Sequence, residues 1–348
     1  DIVIFDCYAG LNQDALGALA GTIKQGGLCL LITPDDNAWL EFEDPDLIRI
    51  CAEPYLISDA HHHYIQRLIN ILNNNKTILK LTLDNLVYTN YKISDFSTER
   101  QEQAVIKTAF LQDDVITKLV AMAQYETNNP LEILPQAIVI QADRGRGKSA
   151  AMGMAAGKLI IKKQAQTQKN SIPFRILLCA PVSDSVQTVL FHAEEILKID
   201  KDVCINRTPT SISLDDKFLI EFIAPDVLSL ELPNADIVMI DEAAAIPIQL
   251  LKPILQHYPK QVYSTTVQGY EGTGRGFEYK FKPLLMNQIA NVDFYTLNQP
   301  MRWQLNDWLE ADLNRVLALD LTLPDLSSLK LNQQTQQFNV WNLHQQAP

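Results

Sequence analysis

The sequence AIVIQADRGRGKSA, residues 137–150, joins an apolar strand pattern to a turn of small and basic residues and then to the start of a helix pattern. Gly147, Lys148 and Ser149 form the GKS of a phosphate-binding loop, whose strict pattern has a glycine where this chain has Ala142. Small residues let backbone amides converge on phosphate oxygens at a helix start, where the dipole adds about half a positive charge. The motif predicts a nucleotide site; the alternative is a glycine loop before an alanine-rich packed helix.

The residue types around this loop indicate chemical roles. Lys148 is expected to reach the β and γ phosphates and Ser149 to ligate Mg²⁺. In ADIVMIDEAAAIP, residues 235–247, Asp241 and Glu242 stand at the end of an apolar strand. Because ligands bind at the carboxyl ends of strands in such sheets, we predict that Asp241 holds Mg²⁺ and that Glu242 orients or deprotonates the attacking water. The alternative for Asp241 is the cap of the following helix.

Apolar runs of strand length recur along the chain and are mostly separated by helix patterns. They lack strict alternation, which is expected where helices cover both faces of a mainly parallel sheet. In the second part of the chain these runs are residues 137–142, 174–180, 217–224, 235–240 and 261–267. At the start of the chain, residues 2–5 and 28–32 have strand patterns and flank a helix pattern over residues 11–25. We therefore predict a doubly wound sheet that follows a smaller βαβ-type unit.

Two further stretches fit a nucleotide site. TERQEQAV, residues 98–105, has the TxxQxxAV form with which helicase-like NTPases grip adenine, and Gln101 is the predicted contact, with Gln103 behind it. Glutamines at a polar helix start are otherwise simply solvated. STTVQGYEGTGRGF, residues 264–277, is rich in glycine, which favours close backbone approach to a ligand and makes Arg275 a candidate for the γ-phosphate. The alternative is a mobile surface loop.

A third stretch, LLCAPVSDSV, covers residues 177–186 at the end of a predicted strand. Helicases often contact nucleic acid at this position. A plain strand-to-helix turn capped by Ser183 or Asp184 explains the pattern equally well.

Composition limits the partners and the compartment. The chain has 29 basic and 41 acidic residues, a formal charge of −12, so any nucleic-acid site must be a local patch. Residues 142–169 hold seven basic residues and one acidic residue, which suits RNA or a solvated helix face. The five cysteines show no CxxC spacing, and no apolar run approaches the length of a membrane span, which favours the cytoplasm and no membrane partner. Three consecutive histidines, residues 61–63, point in different directions on a helix and predict no metal site.

The motifs ADRGRGKSA, DEAAAIP and GYEGTGRGF together closely resemble the bacterial tRNA(Met) cytidine acetyltransferase family. That family fuses an ATP-driven helicase-like module to a GNAT acetyltransferase domain. It forms N4-acetylcytidine at the wobble position of elongator tRNA(Met) from acetyl-CoA and ATP or GTP. The resemblance implies nucleotide contacts at Gln101, Gly145, Arg146, Gly147, Lys148, Ser149, Ala150, Ala151, Met152, Gly153, Met154 and Arg275.

The resemblance also implies a domain organisation. We expect a Rossmann-like N-terminal domain over residues 1–96, incomplete at its start, and a RecA-like P-loop NTPase domain over residues 97–300. Residues 301–348 are expected to link to a GNAT domain outside this chain, because no acetyl-CoA loop of the R/QxxGxG/A type is visible. The chain is thus predicted to bind and hydrolyse ATP or GTP with Mg²⁺, while the intact enzyme uses acetyl-CoA and tRNA. The alternatives are an autonomous RNA helicase or translocase and a nucleotide-gated RNA-binding module.

Overall fold

The computed structural model describes most of the two predicted α/β regions. The described residues are 1–81 apart from 25, 61 and 76, then 112–124, 135–166, 173–199, 204–266 apart from 216, 277–301 and 307–318. Within them, no helix combines the length and apolar character that crossing a bilayer requires.

The larger region is built on an eight-stranded sheet with the strand order β10-β3-β9-β8-β4-β7-β6-β5. Its strands are β3 (Gln136–Ala142), β4 (Phe174–Cys179), β5 (Ile205–Arg207), β6 (Ser211–Leu214), β7 (Phe218–Phe222), β8 (Ile237–Ile240), β9 (Lys260–Thr266) and β10 (Asn291–Leu297). All neighbouring pairs from β10 to β7 are parallel, and among the described strands the antiparallel pairs are β7–β6 and β6–β5, at one edge. The predicted mainly parallel sheet is confirmed.

Helices cover both faces of this sheet. On one face lie α5 (Gln112–Gln124), α6 (Lys148–Gln166) and α7 (Gln187–Leu197); on the other lie α8 (Pro225–Glu231), α9 (Ile248–His257) and α10 (Lys282–Gln288). Each face has its own apolar core, centred on residues such as Met152 and Leu190 on the first and Leu251 and Phe281 on the second. Burial on both faces explains why the central strands β3, β4 and β8 are largely apolar runs.

Two glycines allow α6 and α7 to pack closely. A Cβ added at Gly153 would lie 2.2 Å from the carbonyl oxygen of Val189, and one added at Gly157 would lie 2.8 Å from that of Ala193. Any larger side chain at these positions would force the helices apart. This contact fixes the orientation of α6, whose first residue is Lys148.

The smaller region, residues 1–81, is called the N-terminal unit below. It contains β1 (Ile2–Asp6), α1 (Gln13–Ala20), β2 (Leu28–Ile32), α2 (Asp36–Glu41), α3 (Leu47–Ile50) and α4 (His63–Asn74). The strands β1 and β2 are parallel and joined through α1, which confirms the predicted βαβ-type unit, although the helix ends at Ala20 rather than near residue 25. Trp39 and Leu68 are buried in its core.

The predicted domain boundaries remain predictions. The expected boundary after residue 96 lies between residues 82 and 111, outside the described part of the chain. In the segment expected to be a linker, residues 308–316 form helix α11 (Trp308–Val316), and Val316 joins the core of the N-terminal unit.

Candidate functional site

The turn between β3 and α6 has the backbone of a phosphate loop. Gly145 and Gly147 both have φ of +80°, a conformation that residues with a Cβ rarely adopt. A Cβ on Gly147 would also lie 2.6 Å from the side-chain amide of Gln112, so this position needs glycine for two reasons. Ala142, which replaces the first glycine of the strict motif, is buried as the last residue of β3 and leaves the turn intact.

The loop carbonyls are held from outside the loop. The side-chain amide of Gln112, the first residue of α5, donates to the carbonyl oxygen of Gly147 at 2.8 Å. The backbone N–H of Met301 donates to the carbonyl oxygen of Gly145 at 3.0 Å. Hydrogen bonds therefore hold both of these loop carbonyls. The loop leads into the amino terminus of a 19-residue helix, and the amino terminus of a helix attracts anions.

Lys148 folds over the loop. Its side chain is only 8% exposed, and Nζ donates to the carbonyl oxygens of Ala142 and Asp143 at 3.0 and 3.1 Å. Burial lowers the pKa of Lys148 to about 8, while the nearby Asp241 carboxylate and, after it, Asp143 and Glu242 oppose this shift. The ammonium is therefore desolvated and donates to neutral carbonyl oxygens. A charged phosphate oxygen would be a stronger hydrogen-bond acceptor than these carbonyls.

Asp241 follows β8, two strands from β3, and its side chain is 2% exposed. Its Oδ1 accepts hydrogen bonds from the Ser264 hydroxyl on β9 and from the backbone N–H of Glu242. Because β3, β9 and β8 are parallel, with Ala142 paired with Thr266 and Ile240 with Tyr263, the phosphate loop and this acidic strand end lie at one edge of the sheet. The two parts of the predicted site are thus brought together.

Glu242 has a left-handed backbone, with φ of 51°, and its side chain reaches the neighbouring strand end. The Ser185 hydroxyl, in the turn after β4, donates to Glu242 Oε2 at 3.2 Å. The stretch 177–186 therefore contacts the acidic pair. The capping alternative does not hold, since Val186 is the N-cap of α7 and makes no side-chain cap hydrogen bond.

The remaining predicted loop contacts have mixed surroundings. Arg146 and Ser149 are partly buried, as is Ala150. Ala151 and Met152 are fully buried in the core, and Met154 packs against it. Gly153 faces α7, as described above. Packing alone accounts for residues 151–154, and their role as nucleotide contacts stays a prediction.

Three predictions fall outside the described residues. Gln101 and Gln103 lie in residues 82–111, and Arg275 lies in residues 267–276. The residues just after the glycine-rich stretch are described: the side-chain amide of Gln141 donates to the Glu278 carboxylate. This contact ties Glu278 to β3, one residue before Ala142.

Sequence reasoning missed three polar residues at the site: Gln112, Ser264 and Glu310. Glu310, on α11, accepts a hydrogen bond from Arg146 Nη2 at 2.5 Å. Burial raises the pKa of Glu310, and the hydrogen bond from Arg146 offsets part of this effect. Of the three, Ser264 alone lies in a stretch that the sequence had singled out, residues 264–277.

Comparison with known proteins shows which family this chain resembles. A family model described as RNA cytidine acetyltransferase NAT10/TcmA, helicase domain, matches residues 139–320. A model for tRNA(Met) cytidine acetyltransferase TmcA, N-terminal, matches residues 1–82. The tRNA(Met) cytidine acetyltransferase TmcA of Nitrosococcus halophilus is 31% identical over 92% of this chain, and that of Vibrio cholerae is 27% identical over 94%. The chain spans 41% and 39% of the lengths of these two proteins.

Among solved structures, a large terminase from the thermophilic bacteriophage D6E has a TM-score of 0.40 at 10% identity, covering 60% of this chain and 49% of that chain. The large terminase ATPase domain of Thermus phage P74-26 has a TM-score of 0.32 at 15% identity, covering 60% of this chain and 94% of that chain. The match of the helicase-domain model to residues 139–320, over half of the sequence, shows that the chain belongs to the RNA cytidine acetyltransferase NAT10/TcmA family.

Proposed function

We propose that this chain binds ATP or GTP with Mg²⁺ at the phosphate loop and hydrolyses it. The observation that carries the proposal is that the parallel strands β3 and β8 bring Lys148, Asp241 and Glu242 to one edge of the sheet. In this proposal the loop amides and Lys148 bind the β and γ phosphates, as a helix amino terminus and a desolvated ammonium favour. Lys148 exchanges its two carbonyl partners for phosphate oxygens when the nucleotide enters.

The donor set suits Mg²⁺, which prefers oxygen ligands and keeps several waters. Within the described residues, both hydrogen bonds to Asp241 reach Oδ1, which leaves Oδ2 for a hydrated cation. Ser149 supplies a hydroxyl from the first turn of α6. When bound, the ion neutralises charge that develops on the phosphates.

Glu242 is the proposed base. It orients the attacking water and accepts its proton, which requires a fixed and ionised carboxylate. The hydrogen bond from the Ser185 hydroxyl to Oε2 restrains this side chain. We propose that the attacking water binds at this carboxylate.

We further propose that, in the intact protein, hydrolysis helps to present the wobble cytidine of elongator tRNA(Met) to acetyl-CoA for N4-acetylation. Family membership and the names of the relatives support this step. Extruding a base costs a few kcal/mol, which a coupled NTPase readily supplies.

Two substitutions test the NTPase. Lys148→Ala removes a charge-assisted contact, and we expect ATP affinity to fall by about 1.5 to 3 kcal/mol, roughly 10- to 150-fold. Glu242→Gln is expected to keep ATP affinity but to lower phosphate release by on the order of 100-fold. Lys252→Ala, at an exposed position of α9, is the control and should change neither quantity.

The readouts are calorimetry for binding and phosphate release with and without tRNA(Met). Unchanged ATP affinity in Lys148→Ala would refute the site. Tight binding by the unsubstituted chain without phosphate release, even with tRNA present, would instead favour the nucleotide-gated RNA-binding module.

A further inference from the structure

Arg146, between the two glycines of the phosphate loop, is held by a residue far away in the sequence. Its side chain is 10% exposed and that of Glu310 is 13% exposed, with Nη2 and Oε1 2.5 Å apart. Arg146 Nη1 is buried and has no hydrogen-bond partner among the described residues. A buried guanidinium with one unsatisfied donor, next to a phosphate loop, is suited to a phosphate oxygen.

The segment that carries Glu310 touches the loop at a second place. The backbone N–H of Met301 donates to the carbonyl oxygen of Gly145 at 3.0 Å. The Met301 side chain lies against Gly147, where a Cβ would come within 3.0 Å of its Cγ. Movement of the loop would therefore change the contacts of both Met301 and α11.

The other side of α11 is fixed to the N-terminal unit. The Asp312 carboxylate accepts hydrogen bonds from Asn75 Nδ2, at 2.5 Å, and from the Thr77 hydroxyl. At the carboxyl end of α11, Arg67 of α4 donates to the carbonyl oxygens of residues 315 and 316 at 2.6 and 3.2 Å. Val316 is 3% exposed and packs in the core of the unit. One helix thus contacts the phosphate loop through Glu310 and α4 through its last turn.

We propose that α11 transmits nucleotide occupancy of the phosphate loop to the N-terminal unit, with Glu310 as a positioning residue for Arg146. The inference rests on the proposed nucleotide site and adds a regulatory role for this helix. A phosphate oxygen accepts from Arg146 Nη1 while Glu310 keeps Nη2, so the guanidinium bridges the nucleotide and α11. Satisfying the buried donor stiffens α11, and through it α4. Because such coupling is reciprocal, loss of Glu310 must also weaken nucleotide binding.

The test measures amide hydrogen exchange in α4 with and without a saturating non-hydrolysable ATP analogue and Mg²⁺. In the unsubstituted chain, the analogue should slow exchange in α4. Glu310→Gln should weaken analogue binding about 5-fold or more and abolish the slowing, even when the analogue saturates the site. Asp312→Asn should retain analogue affinity within about twofold but reduce the slowing, because it loosens only the far contact. Glu231→Gln, at an exposed position of α8, is the control and should behave like the unsubstituted chain.

The nucleotide dependence separates coupling from a purely structural role, which would change exchange equally with and without the analogue. Equal slowing in the unsubstituted chain and in Glu310→Gln would overturn the inference and leave the proposed NTPase untouched. If the unsubstituted chain does not bind the analogue, both fail. If the unsubstituted chain binds the analogue and the Lys148→Ala variant does not, the proposed nucleotide site is supported. The amide exchange in α4 then decides the inference about α11.

Discussion

Raising the pH from 7 to 9 is expected to weaken binding of a non-hydrolysable ATP analogue about tenfold, because Lys148 loses its charge in this interval. Burial lowers the pKa of Lys148 from 10.5 to about 8 in the free loop, and Asp241 offsets only part of this effect. The negative charge of a bound triphosphate raises this pKa again. If the pKa of a group is higher in the complex than in the free protein, its charge contributes fully to the affinity below the pKa of the free protein. This contribution is lost progressively as the pH rises above that value.

The magnitude follows from the fraction of charged Lys148. With a free pKa of about 8, roughly 90% of the side chain is charged at pH 7 and roughly 9% at pH 9, a tenfold change worth about 1.4 kcal/mol. The terminal phosphate has largely lost its last proton by pH 7, since such groups titrate near pH 6, and therefore contributes little to the change.

Calorimetry at constant ionic strength measures this dependence directly. Repeating the titration at pH 8.5 in buffers of different ionisation enthalpy should show proton uptake on binding. Lys148→Arg is the matched control, because a guanidinium stays charged across the interval and its affinity, although lower, should not change with pH. Equal affinity of the unsubstituted chain at pH 7 and pH 9, with its circular dichroism unchanged, would refute the assignment of Lys148 as the phosphate-binding ammonium.

Two further predictions concern stability. Ser264→Ala should lower the free energy of unfolding in urea by about 1 to 3 kcal/mol, because buried Asp241 loses a donor. Thr265→Val should not lower it, because that buried hydroxyl has no partner among the described residues and its removal costs no hydrogen bond. Equal losses in the two variants would contradict the hydrogen-bond assignment. Gly153→Ala should lower the free energy of unfolding by about 1 to 3 kcal/mol, measured in the same way, because its Cβ would meet the carbonyl oxygen of Val189 at 2.2 Å. An unaltered unfolding midpoint would show that α6 and α7 are not in this close contact.

The sequence patterns predicted the central strands well and the edge strands poorly. All five predicted runs of the larger sheet contain strands. Four of them are largely apolar, as burial on both faces demands, and the fifth, residues 261–267, also buries polar side chains. The missed strands lie at or near the sheet edges. Among the described strands β10 (NVDFYTL) pairs with β3 alone, while β5 and β6 form a short antiparallel edge. Strands with a solvated side do not need an apolar run, so their sequences resemble loops.

The residues of the candidate site likewise divide into those that the sequence predicted and those that it did not. The relation of Lys148 to Asp241 was predictable, because parallel strands bring their carboxyl ends to one edge. Gln112 contacts Gly147 from 35 residues earlier in the sequence. Glu310 contacts Arg146 from 164 residues later. No spacing rule covers contacts that arise from helix packing, so these two residues could be found only in the folded chain.

The most direct test of the nucleotide site is a crystal structure of the chain with a non-hydrolysable ATP analogue and Mg²⁺. We expect the β and γ phosphates to lie on residues 145–149, with Lys148 Nζ turned from its carbonyl partners to the phosphates. The ion is expected between the Ser149 hydroxyl and the Asp241 carboxylate. An analogue bound elsewhere, or a loop that keeps Lys148 on the carbonyl oxygens of Ala142 and Asp143 at saturating analogue, would contradict the proposed NTPase.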